Sequence, residues 1–368
     1  MDLQYHQMNN CILKYTIKKT NDDQYICIDG FMSKHECRDL VIPAEINGLP
    51  VKEIGHSAFY NEKIKSIVFP DSLCFIKDRA FLGCNRIKSL VFPKNLIKIG
   101  FEAFYECYNL EKITFNEGLR IIDAYAFSNS KIKKVKFPDS LEEICNNAFE
   151  SCELSEVVFG SNIDIIHDYA FAYNRKIKNI NLPEGLISIG TSAFEGSGLV
   201  SIILPDSLAY LNFDAFNGSA NLEELHIGAS LENDDYGRTI AFACPKLKTI
   251  TVSEKNENFG IVNDCLYDMR TNELIRTPSN IKSVIIPKWV EAITPDCFYE
   301  VSPDIIIIKP ESLDYLQDSF IENANVIRCV PNSKVEKYLL DYGYTNIYPI
   351  QSSISAFLED ISEEKDKT

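Results

Sequence analysis

The sequence predicts a β-rich α/β solenoid: a right-handed stack of 22- or 23-residue coils, opened by a β-hairpin and closed by a helix. Two observations carry this. Phenylalanine preceded by alanine recurs at Phe59, Phe81, Phe104, Phe127, Phe149, Phe171, Phe194 and Phe216, at intervals of 22 or 23 residues. Looser copies follow at Ala241-Phe242, Cys297-Phe298 and Ser319-Phe320. From the proline of a coil to its phenylalanine the step is 11 residues, as from Pro70 to Phe81, Pro138 to Phe149, Pro183 to Phe194 and Pro287 to Phe298. Self-similarity at such a period marks a repeat architecture, here of about eleven coils. Each coil must be stabilised by its neighbours.

Within one coil, Ile67-Val68-Phe69 alternates and is β-branched and aromatic, which predicts a short strand. Pro70 ends it, because proline cannot donate to a ladder. Leu73 and Ile76 mark a second inward segment, and Ala80-Phe81 marks a corner where alanine lets coils approach while the ring fills the interior. One coil offers about seven apolar side chains worth roughly 1.5–3 kcal/mol each, against an ordering cost on the order of 30 kcal/mol. Stacking must therefore supply much of the difference.

The ends and interruptions are read in the same way. Residues 1–39 form an N-terminal cap, with Leu13 to Ile17 and Tyr25 to Ile28 as a hairpin around Thr20-Asn21-Asp22-Asp23. Residues 40–331 form the solenoid, with extra residues near Asn233 to Thr239 and an inserted hairpin at about 253–280. Residues 332–350 hold a closing helix, opened by the capping box Ser333-x-x-Glu336 and ending near Gly343. Residues 351–368 are an acidic tail, disordered or docked through Ile354, Phe357, Leu358 and Ile361 at helical spacing.

Among 368 residues the net charge is −16, which argues against a general nucleic-acid binder. No apolar run reaches about 18 residues, so no spanning helix is expected. The start, Met1 to Gln7, lacks both a basic and an apolar signal region. Cytoplasmic residence is expected if Met1 is the natural start, with cell-surface or secreted placement as the alternative. The twelve cysteines follow the repeat. Cys84, Cys107 and Cys152 share one slot with Ser130, Asn174, Ser197 and Ser219, which predicts a small polar side chain bonding to a turn. Cys84 and Cys107 also fall within disulfide reach on adjacent coils.

Binding or chemistry must be read down columns of stacked residues. The outward strand position carries Val68, Val91, Thr114, Lys136, Val158, Asn181, Ile203, His226, Thr251 and Ile285, either β-propensity alone or a partner-binding strip. Lys112, Lys131, Lys133, Lys134 and Lys136 gather on neighbouring coils, with Lys65 and Lys88 nearby, as a solvated face or a docking patch for an acidic partner. The tentative partner-binding set is Val68, Val91, Lys112, Thr114, Lys134, Lys136, Val158 and Ile203. A further column runs Lys77, Gly100, Asp123, Cys145, His167, Gly190. Thiol and imidazole would meet there, but in a turn slot with no oxyanion donors implied. No nucleotide-binding or zinc-site spacing occurs, so catalytic residues, cofactor and metal are all expected to be absent.

The combined pattern, as in Leu90-Val91-Phe92-Pro93, Leu96, Ile99-Gly100, Ala103-Phe104, Cys107 and Leu110, resembles the BspA-type leucine-rich repeat of bacterial and protist proteins. The likeness runs from about Leu40 to Tyr348. Asp39 to Gly55 is similar to that family's usual opening, and Asn332 to Tyr344 to its closing helix. The resemblance implies a non-enzymatic recognition or adhesion scaffold. The expected molecule is a monomer that binds a protein ligand along its strand face, with a surface adhesin as the alternative.

Overall fold

A computed structural model describes residues 3–8, 11–20, 23–32, 38–212, 214–232, 244–294, 297–298, 301–310, 313 and 324–350. Two compact units make up the chain, Met1–Leu199 and Val200–Thr368. The predicted β-solenoid is present, with about 13 turns. That exceeds the eleven Phe positions in part because strands Val326–Cys329 and Ile347–Pro349 continue a ladder without an Ala-Phe corner. The Ala241-Phe242 and Ser319-Phe320 copies, the extra residues at 233–239 and the acidic tail lie outside the described residues.

In the first unit two kinds of strand alternate along each coil. Short strands Phe75–Ile76, Lys98–Ile99, Ile121–Ile122, Glu143–Ile144, Ile165–Ile166 and Ser188–Ile189 form one parallel ladder, each isoleucine beside the isoleucine of the next coil. Three-residue strands form the other face as parallel pairs: Asp39–Val41 with Ser66–Val68, Ser89–Val91 with Lys112–Thr114, and Lys134–Lys136 with Glu156–Val158. In each, the middle residue is buried and its neighbours are exposed, as strand alternation requires.

Strands Ile12–Lys19 and Gln24–Met32 make the antiparallel hairpin, and Gln4–Gln7 adds a strand to it. Gln24–Met32 runs parallel to Leu49–Ile54, which in turn pairs with Phe75–Ile76. The hairpin thus supplies the partner that the first ladder strand would otherwise lack, as an exposed edge requires.

The core is a herringbone of rings. Phe59, Phe81, Phe104, Phe127, Phe149, Phe171 and Phe194 stack in one row, with successive centroids 5.0–5.6 Å apart and planes within 17° of parallel. Phe69, Phe92, Phe115, Phe137 and Phe159, from the strand ends, form a second row at 5.2–6.0 Å. Rings of the two rows meet edge to face, as for Phe92 against Phe104 at 73° and Phe137 against Phe149 at 73°. Both arrangements suit the ring quadrupole.

The Ala-Phe corner is a third ladder, which the sequence reading treated only as a packing feature. Ser57 N–H donates to the Asp78 carbonyl at 3.0 Å, Phe59 to Ala80 at 2.8 Å and Asn61 to Leu82 at 2.7 Å. The same pattern returns at Phe81 to Ala103, Phe104 to Ala126, Phe127 to Ala148 and Phe149 to Ala170. Residues two before and two after each phenylalanine adopt positive φ: Ser57 and Asn61, Arg79 and Gly83, Glu102 and Glu106, Tyr125 and Asn129, Asn147 and Ser151, Tyr169 and Tyr173. Such a backbone costs a non-glycine residue roughly 1–2 kcal/mol, and the bonds between coils offset it. The corner therefore contains no helix, and the expected α component shrinks: among the described residues the only α-helix is Lys334–Asp341.

The second unit begins with a parallel ladder of Ser201–Ile203, Glu224–Ile227 and Thr249–Val252. The insertion at 253–280 is a three-stranded antiparallel ribbon rather than a simple hairpin: Phe259–Val262, Cys265–Asp268 and Glu273–Arg276. A second ladder follows in Ser283–Ile286, Ile305–Ile308, Val326–Cys329 and Ile347–Pro349. The helix Lys334–Asp341 buries Val335 and Leu339 in the same core as Ile327 and Cys329. Ser333 Oγ accepts from Glu336 N–H at 3.1 Å. The Glu336 carboxylate reaches the N–H of Asn332 instead of the cap residue, a variant of the expected box.

Truncating Phe149, which sits between Phe127 and Phe171 with no exposure, should cost roughly 3–5 kcal/mol by cavity formation. Ser151→Gly, at a positive-φ slot that Gly83 fills elsewhere, should instead gain up to about 1 kcal/mol. Urea unfolding of both variants checks the opposite signs.

Candidate functional site

Three features could carry function: the polar slot after each phenylalanine, the strand face, and the turn after the inner ladder. The slot is structural. Cys84 Sγ donates to the Phe59 carbonyl at 3.0 Å, Cys107 to Phe81 at 3.4 Å and Cys152 to Phe127 at 3.3 Å. Asn174 does the same work with its amide, donating to Phe149 and Phe171 at 2.8 and 2.9 Å while its oxygen accepts from Leu154 N–H at 3.1 Å. Ser130 Oγ contacts Cys152 Sγ at 3.2 Å. Burial, the largest influence on each, pushes the Cys84 and Cys152 thiols up to about 12 and the Cys107 thiol well above its ordinary range. Cys84 and Cys107 are thiols, with no disulfide between them.

On the strand face every residue of the tentative set is exposed: Val68, Val91, Lys112, Thr114, Lys134, Lys136 and Val158 in the first unit and Ile203 in the second. Val68, Val91, Val158 and Ile203 are 56, 63, 42 and 67% exposed, far more than packing needs require of large apolar residues. Thr114 lies directly beside Val91, and Lys136 beside Val158. Val41, beside Val68, is also exposed; extra residues between Pro43 and Phe59 hide the repeat in its coil. The lysines do not act as one charge block. Lys133 pairs with Glu111 at 3.0 Å and Lys134 with Glu156 at 2.6 Å, so much of that charge is met by acids one coil away. Such exposed pairs contribute little stability. Lys112, Lys131 and Lys136 make no ion pair among the described residues and keep their charge available.

At the turn after the inner ladder, the register that sets Ile122 beside Ile144 and Ile144 beside Ile166 also brings Asp123, Cys145 and His167 into one row. Glu143, two residues before Cys145 and on the same outward side of Ile144, joins them. One carboxylate oxygen of Glu143, Cys145 Sγ and an imidazole nitrogen of His167 all lie within 4.8 Å of one another. Sequence reading by single columns missed Glu143 because it stands one column over. The thiol is not activated: burial first, then Asp123 and Glu143, push Cys145 up to about 11, only partly opposed by Lys98. A nucleophile needs the reverse shift. At Gly190 the slot carries glycine, where a Cβ would stand 2.5 Å from the backbone nitrogen of Asp168; the Asp168 side chain accepts from Thr191 N–H at 2.7 Å.

Parallel ladders on two faces, a stacked phenylalanine row and a turn corner at a 22- to 23-residue step define a leucine-rich-repeat solenoid. The BspA type leucine-rich repeat region matches in six copies over residues 52–178, 164–279 and 276–355, and the chain belongs to that family. A leucine-rich repeat protein from Bacteroides ovatus is 20% identical with a TM-score of 0.61, over 94% of this chain and all of that one. The pneumococcal vaccine antigen PcpA is 17% identical with a TM-score of 0.52, over 94% of this chain and 98% of that one. Both likenesses are of fold. A search of curated proteins returned no match. Among the described residues no helix is long and apolar enough to cross a membrane.

The buried thiols make stability fall in alkali. In the unfolded chain they ionise near pH 9, whereas Cys84 and Cys152 in the fold hold their protons to about 12. The folded state then binds more protons, so the stability present below pH 9 is lost as pH rises through that window. The urea midpoint should decline above pH 9, and less so in a Cys84→Ser, Cys152→Ser variant.

Proposed function

We propose that the chain is a non-enzymatic recognition scaffold that binds a protein partner along the strand face of its first unit. The supporting observation is the exposure of Val41, Val68, Val91 and Val158 on strands paired in parallel from coil to coil. Exposed apolar side chains in rows fit an interface core. Lys112 and Lys136 flank them, and their available charge favours a partner with an acidic rim. The upward shift of the Cys145 thiol and the family's usual role as a scaffold both support a function without catalysis. Ile203 offers the corresponding position in the second unit.

In this reading the N-terminal hairpin and the Lys334–Asp341 helix close the ends, and the domain boundaries follow the repeat: a cap over residues 1–39, a solenoid over 40–331 and a closing helix over 332–350. A second reading, adhesion at a cell surface, draws on the family and on a neighbour named as a vaccine antigen. The chemistry of the face is the same in either place. Detection of the chain on intact cells would favour adhesion, and recovery inside them the intracellular scaffold.

Photo-crosslinkers placed at Val91 and at Phe75, on opposite faces, separate the face from the rest of the molecule. Crosslinking in the native cell followed by mass spectrometry should recover a partner from Val91 and little from Phe75. Val91→Asp with Val158→Asp should reduce that recovery at least about tenfold, a loss near 1.4 kcal/mol, and Lys136→Glu should slow association. Equal recovery from both faces, or none lost in the aspartate variant, would overturn the proposal.

A further inference from the structure

We infer that Glu143, Cys145 and His167 form a binding site for a borderline-soft divalent cation, zinc first, that bridges two neighbouring coils. Three observations bear on it. The thiol, a carboxylate oxygen and an imidazole nitrogen converge within 4.8 Å. Around a tetrahedral zinc, with bonds of about 2.0–2.3 Å, ligand atoms stand roughly 3.3–3.8 Å apart, so small side-chain rotations close the set. The donor atoms, sulfur, nitrogen and oxygen, suit zinc and not magnesium or calcium, which prefer oxygen alone.

The second observation is the imidazole. His167 Nε2 is buried and has no hydrogen-bond partner, an unsatisfied polar atom of the kind native structures rarely leave unexplained. The third is the charge around it. Asp123 and Glu143 both act on the Cys145 thiol, giving the turn an electronegative lining. The cation that acts on this thiol, Lys98, is held by Asp123 at 2.6 Å. Asp123 also accepts from Ala124 N–H at 2.8 Å, so it is engaged already and stands beside the site rather than in it.

The backbone places these groups without strain on the ligands. Glu143 and Cys145 flank buried Ile144 and so face the same way, and the Ile144–Ile166 register sets His167 against Cys145. Three protein ligands leave one coordination position for water, unlike closed structural zinc sites with four protein ligands. Bound there, the ion would tie the coil of Phe149 to the coil of Phe171 outside the aromatic core. It adds a ligand-dependent clamp to a scaffold otherwise held by ring stacking and backbone ladders, whichever face its partner uses.

Cobalt(II) is the probe, added to the full-length chain without a histidine tag. One equivalent should produce the near-ultraviolet sulfur-to-cobalt charge-transfer band with visible bands of a tetrahedral ion, and zinc should displace it. Cys145→Ser should abolish the sulfur band. His167→Asn, a change this slot already shows at Asn212, and Glu143→Gln should each weaken cobalt at least about tenfold. Circular dichroism confirms that each variant is folded. No band at saturating cobalt, a band undiminished in Cys145→Ser, or unchanged affinity in His167→Asn would overturn the site.

Discussion

The contact of one phenylalanine ring with the ring of the next coil is the constraint on which the first unit rests. A coil of 22 or 23 residues cannot bury enough apolar surface to fold alone, and its interior is finished only when the neighbouring coil covers it. The row from Phe59 to Phe194, with centroids 5.0–5.6 Å apart, sets the pitch. Every other column in the unit inherits that pitch. The polar slot, the strand face and the turn that carries Cys145 and His167 are neighbours only because the rings fix the spacing between coils.

The repeat and its inner row were legible because side-chain size and period leave a direct trace in sequence. Ala-Phe at a fixed step can be read by eye, and so can the alternation of Ile67 and Phe69 that places the second aromatic row. Backbone conformation leaves a weaker trace. Positive φ at Glu102, Glu106, Tyr125 and Tyr169 is invisible in residue types that seldom adopt it, so the corner read as a packing device when it is also a hydrogen-bonded ladder. Gly83, Gly196 and Gly218 at the same positions hinted at it. The ribbon at 259–276 reads as a two-stranded hairpin when Ile261 to Asp268 is taken as one strand, because the tight turn at Asn263 and Asp264 holds neither glycine nor proline.

The surface was legible column by column. The exposed valines follow from strand alternation. Their omitted member, Val41, belongs to the coil of Ala58-Phe59, where extra residues after Pro43 stretch the usual step from proline to phenylalanine. The lysines looked like a block because acids on adjacent coils, Glu111 and Glu156, are 22 residues away in sequence and one step away in space. Glu143 escaped notice for the same reason in reverse: it joins Cys145 along the strand and His167 across the ladder, a diagonal that no single column contains. Chemistry on a solenoid arises from such diagonals, where the repeat supplies positions and the individual residue supplies function.

A double-mutant cycle on Phe104 and Phe127 measures the ring-to-ring contact most directly. Substituting each by leucine, singly and together, should show a coupling of about 0.5–1.5 kcal/mol. The distant pair Phe59 and Phe149 should be additive within about 0.5 kcal/mol. Additivity for Phe104 with Phe127, or an equal coupling for the distant pair, would contradict a fold held by contacts between adjacent coils.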